Sequence, residues 1–259
     1  MIVLETLSGL CNRMGALDAG LALSKKLHQD LHVVWALDGE MPCRFDELFE
    51  PLPGIKTFSH LRHSRLRREL RRAYYYCCFS IALGPRTVER MLTANYDFEK
   101  LGERRHIAIL TYKPFYPSPE PFLPFRPIRP LQKRIDRYQL GEMVGVHIRR
   151  TDHQIAIERS PTARFIELMR QEIAARGDTR FFLATDSPEE EAEMQRLFPG
   201  RIVTHAKASL NRRDPRAVQD AVVDLYCLSN CRKLIGSYIS TFSETAWMIR
   251  GIDKVIVKQ

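Results

Sequence analysis

Residues 143–152 read MVGVHIRRTD, a stretch that combines an apolar run with a charged end. Valine or isoleucine occupies every second position, with Gly145 and His147 between them, which is the two-residue period of a β-strand. A short apolar run flanked by polar residues is typical of a strand inside a parallel sheet. We therefore expect a buried strand that ends at two adjacent arginines.

Arg149 and Arg150 follow this strand, at the carboxyl end where open α/β sheets place their ligands. Two neighbouring guanidinium groups repel each other unless an anion or a carboxylate lies between them. One interpretation is a phosphate or pyrophosphate clamp, because the planar donors of arginine suit that group. The other is a surface turn in which Asp152 pairs with one arginine. The spacing alone favours neither interpretation.

The composition is that of a soluble globular protein, with 44% hydrophobic and 27% charged residues. The net charge of +9 predicts an anionic partner: a nucleotide, a nucleic acid or a membrane surface. No run reaches the roughly 18 apolar residues of a membrane span. Because Met1 leads directly into an apparent strand, the expected location is cytoplasmic. The six cysteines lack the spacing of zinc sites or disulfide frameworks, which predicts reduced thiols.

The N-terminal residues predict the opening of a βαβ unit: a strand over 2–6, a turn with glycine, a helix, and a strand over 32–37. The turn matches neither the dinucleotide-binding fingerprint nor the P-loop. Asn12 and Arg13 follow it. They either extend a polar group and a charge across a cleft or face water at the start of the helix, and the residues do not separate these alternatives.

Residues 60–72 (HLRHSRLRRELRR) form a basic run ahead of three tyrosines. If the run is a helix, Arg62, Arg65, Arg68 and Arg72 share one face. Such a helix can rest on an anionic membrane surface, as a peripheral contact. No nucleic-acid-binding motif accompanies it, so no specific nucleic acid is expected. A solvated face requires fewer assumptions and is the favoured interpretation.

Seven prolines between residues 113 and 130 predict an extended connector, because proline disrupts helices and strand pairing. We place the domain boundary here, with an N-terminal domain over 1–124 and a C-terminal domain over 125–259. After the prolines, helical and strand patterns alternate regularly to the end of the chain. This alternation predicts a parallel, doubly wound α/β sheet.

Asp186 follows a second apolar strand, FFLAT, and the next residues, Ser187 and Pro188, have the pattern of a helix start. Because Ser187 can cap the helix, Asp186 is expected to be free to accept hydrogen bonds from a ligand. The two adjacent N–H donors of guanine would fit its carboxylate. The alternative is an aspartate that only favours the helix dipole.

A third strand, over 233–237, leads to the sequence STFSE at 240–244. Thr241 and Glu244 have capping-box spacing, so a helix is expected to begin at Thr241. Its first N–H groups and the nearby hydroxyls make an anion site. The three strand ends together predict a pocket for a nucleoside diphosphate.

These three segments, HIRRTD at 147–152, LATDSP at 183–188 and STFS at 240–243, resemble the three-motif signature of the inverting fucosyltransferases. That superfamily includes the α1,6-fucosyltransferases, the rhizobial nodulation fucosyltransferase and the protein O-fucosyltransferases. The resemblance covers most of residues 125–250, and earlier in the chain it rests on GLCNR at 9–13. It implies a GT-B fold, with two Rossmann-like domains whose parallel sheets face each other across a cleft.

The resemblance also implies an enzyme without metal or cofactor that transfers fucose, or a related sugar, from a GDP-sugar to a glycan or other hydroxyl acceptor, including lipid-linked and peptide acceptors. By position, Arg149, with Arg150 beside it, would bind the β-phosphate and stabilise the departing GDP. His147 and Asp186 would contact guanine. The other residues expected to bind the donor are Asp152, Ser240, Thr241, Phe242, Ser243, Asn12 and Arg13.

A general base must take the proton of the acceptor hydroxyl. In the α1,6 group the candidate is a glutamate a few residues after the arginine motif. Glu158 lies one position beyond the matching place, which Ile157 occupies, and His153 is the rival because its ordinary pKa is suitable. A chain that kept the pocket but lost the base would be a non-catalytic GDP-sugar- or glycan-binding module, which is the alternative function.

Overall fold

The computed structural model describes residues 1–62, 65–151, 154–209, 211 and 213–259. The chain divides into two compact units. Unit 1 comprises Met1–Ile128 with Asn211–Val218, and unit 2 comprises Arg129–Leu210 with Gln219–Gln259. The domain boundary between residues 124 and 125 stays a prediction.

The five strands of unit 1 form one parallel sheet in the order β3-β2-β1-β5-β4. All five residues of the central strand, β1, are buried. The elements of unit 1, in chain order, are β1 (Ile2–Thr6), α1 (Leu10–Leu27), β2 (Leu31–Leu37), β3 (Ile55–Arg62), α2 (Arg65–Cys78), β4 (Ile81–Leu83), α3 (Pro85–Thr93) and β5 (Ile107–Thr111).

The basic run at 60–72 is not one helix, contrary to the expected helical face. β3 ends at Arg62, and α2 begins at Arg65. Arg62 therefore cannot share a helix face with Arg68 and Arg72. β3 lies at the edge of the sheet and β4 has three residues, so neither strand has the long apolar alternation that reveals a buried strand.

The proline-rich segment packs onto unit 1 as far as Ile128, where a connector between domains was expected. The Ile128 backbone N–H donates to the Leu48 carbonyl at 3.0 Å. Asp18 on α1 is buried and accepts hydrogen bonds from this segment, from the Phe122 backbone and the Ser118 side chain. Burial raises the pKa of Asp18 to about 6, and the two hydrogen bonds oppose the rise.

Unit 2 has a second parallel sheet, in the order β10-β9-β6-β7-β8, as the alternation of helices and strands predicts. Its elements include α5, which the sequence reasoning missed. In chain order, and including α8, which begins in the Asn211–Val218 segment, they are α4 (Arg129–Ile135), β6 (Val144–Ile148), α5 (Gln154–Arg159), α6 (Thr162–Ala175), β7 (Phe181–Thr185), α7 (Pro188–Leu197), β8 (Ile202–Thr204), α8 (Pro215–Ser229), β9 (Lys233–Ser237), α9 (Thr241–Met248) and β10 (Asp253–Val257).

The alternation in β6 gives its two faces different neighbours. Val144, Val146 and Ile148 belong to a buried cluster with apolar side chains of β7, α6 and α7. The other face carries Gly145 and His147. A Cβ atom at Gly145 would lie 3.1 Å from a methyl group of Leu228 on α8, so this glycine permits the close packing of α8. β6 is thus buried on both sides, and His147 faces the helices that precede and follow β9.

The six cysteines are free, as predicted. Cys227 and Cys231 are buried, and burial raises the pKa of the Cys231 thiol to about 12. Within the residues that the structure describes, no helix is both long enough and apolar enough to span a membrane.

Candidate functional site

Three neighbouring strands of unit 2 bring the sequence motifs to one edge. β6 lies between β9 and β7, and all three run parallel. Chain order reverses at β6: the chain continues outward through β7 and β8, then returns to place β9 on the other side. The carboxyl end of such a reversal is where open α/β sheets bind ligands. Arg149 and Asp186 directly follow β6 and β7 at this edge.

His147 is the penultimate residue of β6 and is buried, with 7% of its surface exposed. Its Nδ1 atom lies 2.7 Å from the Ser243 hydroxyl, and its ring packs against Phe242 with centroids 4.8 Å apart. Burial lowers the pKa of His147 to about 3; Asp186 opposes this effect, while Arg149 and Lys207 add to it. His147 is therefore a neutral hydrogen-bonding group at pH 7.

Ser237 fixes the backbone at the end of β6. Its hydroxyl donates to the His147 carbonyl at 3.0 Å and accepts from the Arg149 backbone N–H, also at 3.0 Å. Because the two bonds bracket Ile148, the strand keeps its direction up to Arg149. Sequence reasoning assigned Ser237 no role, although a hydroxyl at the end of a buried strand is a signal for such a bridge.

Gly236 lets the start of α9 approach β9. A Cβ atom at this position would lie 2.8 Å from both Cβ and Oγ of Ser243, closer than real side chains pack. Only glycine therefore leaves room for the contact between Ser243 and His147. This residue too was missed, because a glycine inside a strand carries no signal about which helix comes close.

The four residues at 240–243 divide into a buried pair and a more accessible pair. Ser240 and Ser243 are buried, and the Ser240 hydroxyl caps the helix by accepting from the Ser243 backbone N–H. Thr241 is exposed and Phe242 is half-buried. The helix begins at Thr241, as predicted, but its N-cap is Ser240 and not the Thr241 of the capping-box pattern.

Arg150 is held by an ion pair and a hydrogen bond within unit 2. Its Nε atom lies 2.5 Å from the Glu190 carboxylate on α7, and its Nη2 atom donates to the Thr162 hydroxyl at 2.9 Å. The guanidinium also lies over the Phe165 ring, 5.8 Å from its centroid. Since Arg150 packs between α6 and α7, a ligand phosphate would have to replace a half-buried ion pair to reach it.

Asp186 does not have a free carboxylate. It accepts from the Arg150 backbone N–H at 2.7 Å, and from the Thr151 hydroxyl at 2.6 Å and backbone N–H at 3.3 Å. Because these donors all belong to the residues after β6, Asp186 fixes the direction of that loop. The interpretation that it only favours the dipole of α7 is therefore also incomplete.

Asn12 and Arg13 lie at the start of α1 in unit 1. Arg13 is fully buried: Nε donates to the Ser8 carbonyl and Nη1 to the Ala36 carbonyl, each at 2.6 Å, and Nη2 pairs with Asp38 at 3.0 Å. Both interpretations of Arg13, a charge extended across a cleft and a residue facing water, are wrong. Asn12 is half-buried and donates to the Ser8 hydroxyl at 3.0 Å.

Of the two candidate general bases, Glu158 is among the described residues and His153 is not. Glu158 is exposed on α5 and accepts from the Gln154 side chain at 3.1 Å, one helical turn away. His153, like the donor-binding candidate Asp152, lies outside the described residues. The choice of base therefore stays a prediction.

A charged cluster after β8 was not predicted. Lys207 lies 3.4 Å from Asp224 on α8, and His205 lies 3.6 Å from the other oxygen of that carboxylate. Arg134 pairs with Asp220 on the same helix and contacts His205 at 2.7 Å. Because Lys207 lowers the pKa of His147, the cluster borders the site. The sequence signal is HAK at 205–207, which directly follows β8 as the three motifs follow β6, β7 and β9.

Comparison with known proteins gives matches to solved structures. No protein-family model and no curated protein sequence matches the chain. NodZ α1,6-fucosyltransferase soaked with GDP-fucose superposes with a TM-score of 0.65 at 17% identity, over 96% of this chain and 92% of NodZ. A mutant of Arabidopsis thaliana FUT1 in complex with GDP gives 0.63 at 14% identity, over 98% and 69% of the two chains.

POFUT1 in complex with GDP has a TM-score of 0.59 at 12% identity, with 99% of this chain and 98% of POFUT1 covered. At these identities the likeness concerns the fold, and it agrees with the resemblance of the three motifs. Each unit of this chain carries a five-stranded parallel sheet, as expected for two Rossmann-like halves. The chain therefore shares its fold, which is of the GT-B type, with these solved fucosyltransferase structures.

Proposed function

We propose that this protein is an inverting, metal-independent glycosyltransferase that transfers fucose, or a related sugar, from a GDP-sugar to a hydroxyl acceptor. The observation that carries the proposal is the convergence of β6, β7 and β9 at one edge with His147, Arg149 and Asp186 at their ends. Fucosyltransferases of the same fold have been crystallised with GDP and with GDP-fucose. A cytoplasmic location remains part of the proposal.

Arg149 is the residue that we assign to the pyrophosphate. It directly follows β6, and its backbone is held by Ser237. When the acceptor oxygen attacks the anomeric carbon, the bond to the β-phosphate oxygen breaks and GDP leaves with the electron pair. A guanidinium held in place before the reaction stabilises the negative charge that develops on the leaving group. Arg150, which is paired with Glu190, supports the loop in this scheme and does not contact the donor.

We assign the guanine base to the neighbourhood of His147 and Asp186. A neutral imidazole forms hydrogen bonds with a base without the cost of burying a charge. The Asp186 carboxylate also accepts hydrogen bonds from the loop after β6, so that loop holds it in place for hydrogen bonds with guanine. The exposed hydroxyl of Thr241 and the N-terminus of α9 are assigned to the phosphates and ribose.

The general base takes the acceptor proton in the same step. Glu158 and His153 remain the candidates. Glu158 lies on the helix that follows the arginine motif, where an exposed carboxylate is accessible to an acceptor from solution. Glu158→Gln should lower transfer to an acceptor and leave GDP affinity unchanged if it is the base. His153→Gln is the matching test of the rival.

Turnover of GDP-fucose tests the proposal. Release of GDP should be detectable with the wild-type protein, alone or with glycan acceptors, and Arg149→Ala should reduce it by at least about 100-fold, the size expected for a lost transition-state donor. Arg170→Ala, at an exposed position on α6, is the matched control. Near-normal turnover of a folded Arg149→Ala protein would remove the phosphate assignment.

Three further measurements test parts of the proposal. GDP binding with neither transfer nor hydrolysis would favour the non-catalytic binding module. Asp186→Asn should reduce the preference for GDP over UDP, since a carboxamide cannot accept from both N–H donors of guanine in the same way. Turnover should persist in EDTA, and a loss that Mg²⁺ or Mn²⁺ restores would contradict the metal-independent scheme.

A further inference from the structure

Helix α2 is attached to unit 1 through one face. Tyr75 is 5% exposed and packs with Val3, Val34 and Leu110 on one side of the sheet. One turn earlier, Arg71 forms two hydrogen bonds, at 2.9 and 3.1 Å, with the carboxylate of Glu5, which is fully buried in β1. A buried carboxylate needs such a partner. These contacts fix which side of α2 points away from unit 1.

The opposite side of α2 is apolar and exposed. Leu66, Leu70 and Tyr74 have 69%, 61% and 56% of their surfaces exposed, and they follow each other at four-residue spacing. Residues three and four apart lie on one helix face. Ala73 and Cys77 are also exposed and lie on the same arc. We call these five residues the apolar stripe.

Single exposed apolar residues are common on protein surfaces, but a row of five on one helix is not explained in that way. Tyr75 and Arg71 attach α2 to unit 1 on the other side, and at one end of the stripe Tyr74 also packs edge-to-face with Phe79, with ring centroids 5.9 Å apart. The stripe is therefore not the main attachment of the helix. Its exposed fractions exceed those of most large apolar side chains in the protein. The stripe therefore has the form of a surface that meets something else.

The charges of α2 indicate an anionic partner. The helix sequence contains five arginines and one glutamate, a net charge of +4. Arg71 is neutralised by Glu5, and Glu69 lies near Arg68 and Arg72. Arg67, the residue before Arg68 in the chain, is exposed. A partner that offers both apolar depth and negative charge suits this face.

We propose that the apolar stripe of α2 docks this protein on the surface of a lipid bilayer that contains anionic phospholipids. Leucines in an interfacial helix enter the boundary between headgroups and acyl chains, while arginines extend to the phosphates. Tyrosine suits the same depth because its ring is apolar and its hydroxyl is polar. A stable protein partner is less suitable, since such interfaces take about 20–30 residues from each side.

Vesicle sedimentation tests the proposal with the full chain. The wild-type protein should pellet with phosphatidylcholine vesicles that contain phosphatidylserine and remain in solution with phosphatidylcholine alone. The double variant Leu66→Ser/Leu70→Ser should bind at least about tenfold more weakly, because two leucine side chains that would enter the bilayer are lost. Leu123→Ser is the matched control, since Leu123 is 60% exposed in a different segment. Thermal melts establish that all three proteins are folded.

Each other outcome contradicts the proposal. A wild-type protein that stays in solution with both vesicle types overturns it. Equal pelleting of the wild-type protein and the double variant would place the contact on another basic surface. Sedimentation velocity tests for self-association. If the wild-type protein forms a dimer, the double variant does not, and neither binds vesicles, the stripe would be assigned to contact with a second copy of the chain.

A fluorophore reports directly on the depth of the stripe. Cys77 and Cys78 are exposed, whereas the other four cysteines are buried, so Cys78→Ser leaves one accessible thiol on the stripe. An environment-sensitive dye on Cys77 should shift to shorter wavelength on phosphatidylserine vesicles. An unshifted dye on protein that pellets would show that the stripe stays in water. This result is independent of GDP-fucose turnover, which the stripe variants should retain.

Discussion

His147 and Ser243 are 96 positions apart in the chain, yet the Nδ1 atom of the imidazole lies 2.7 Å from the serine hydroxyl. The contact joins the end of β6 to the first turn of α9. It also sets the orientation of the ring beside Arg149, because Phe242 packs against the ring from the same turn. A change at Ser243 should therefore affect the arginine motif as well as the helix.

Ser243→Ala should destabilise unit 2 by about 1–3 kcal/mol, because a buried ring nitrogen loses its hydrogen-bond partner. Urea unfolding gives the change in free energy. Thr241→Ala, two residues earlier and exposed, should change it by less than about 0.5 kcal/mol. Equal effects of the two substitutions would mean that the contact contributes little.

Because of His147, the free energy of unfolding of unit 2 should decrease as the pH is lowered. Its pKa is about 3 in the folded protein and about 6.5 when unfolded. The stabilisation is therefore fully present above about pH 6.5 and is lost progressively as the pH falls towards 3. Between pH 7 and pH 5 this single group should remove about 2 kcal/mol.

His147→Gln removes the titrating group and keeps a polar side chain at this position. Its unfolding free energy should change less with pH than that of the wild-type protein, although the variant is less stable at pH 7. The measurement is urea unfolding at pH 7 and pH 5 for both proteins. Parallel changes in the two proteins would exclude His147 as the source of the acid sensitivity.

Gly236→Ala should destabilise the protein by about 1–3 kcal/mol, since the added methyl group would lie 2.8 Å from Ser243. Gly141→Ala is the matched control, because nothing lies within 4 Å of a Cβ atom there. In the background of Ser243→Gly, the cost of Gly236→Ala should become smaller. Strictly additive effects would show that the two positions do not share one contact.

Arg150→Ala should destabilise the protein by about 3–5 kcal/mol, because Glu190 would remain as a half-buried carboxylate without its cation. Arg176→Ala removes exposed ion pairs with Glu142 and Asp178, and should cost at most about 1 kcal/mol. Thermal and urea unfolding measure both. A stable Arg150→Ala protein with lost turnover would return Arg150 to the donor site.

The architecture of unit 2 is largely predictable because its central strands, β6 and β7, are buried on both faces. β6 and β7 consist of five buried residues each, and the helix after β7 begins with a serine cap and a proline. These local signals agree with the global fold, so each strand end can be placed from the sequence. The adjacent positions of β6, β7 and β9 follow from the order of a doubly wound sheet.

The roles of individual side chains are less predictable, since they depend on residues distant in the chain. Nothing near Arg13 indicates that the carbonyl of Ala36 and the carboxylate of Asp38 will enclose it. Arg149 and Arg150 are adjacent and of the same type, so the local sequence does not show which of them pairs with a distant carboxylate. Glu190, which holds Arg150, lies 40 positions later. In unit 1, β3 escapes notice because an edge strand does not need an apolar face.

The central position of β6 has a consequence for how the protein is made. During synthesis, the arginine motif emerges long before β9, its partner on one side. Until then β6 has an unpaired edge, and His147 has neither Ser243 nor Phe242 beside it. Such long-range pairing slows folding and exposes apolar surface in the nascent chain. A protein shortened before β9 would contain the first two motifs intact and would still be unable to assemble the site.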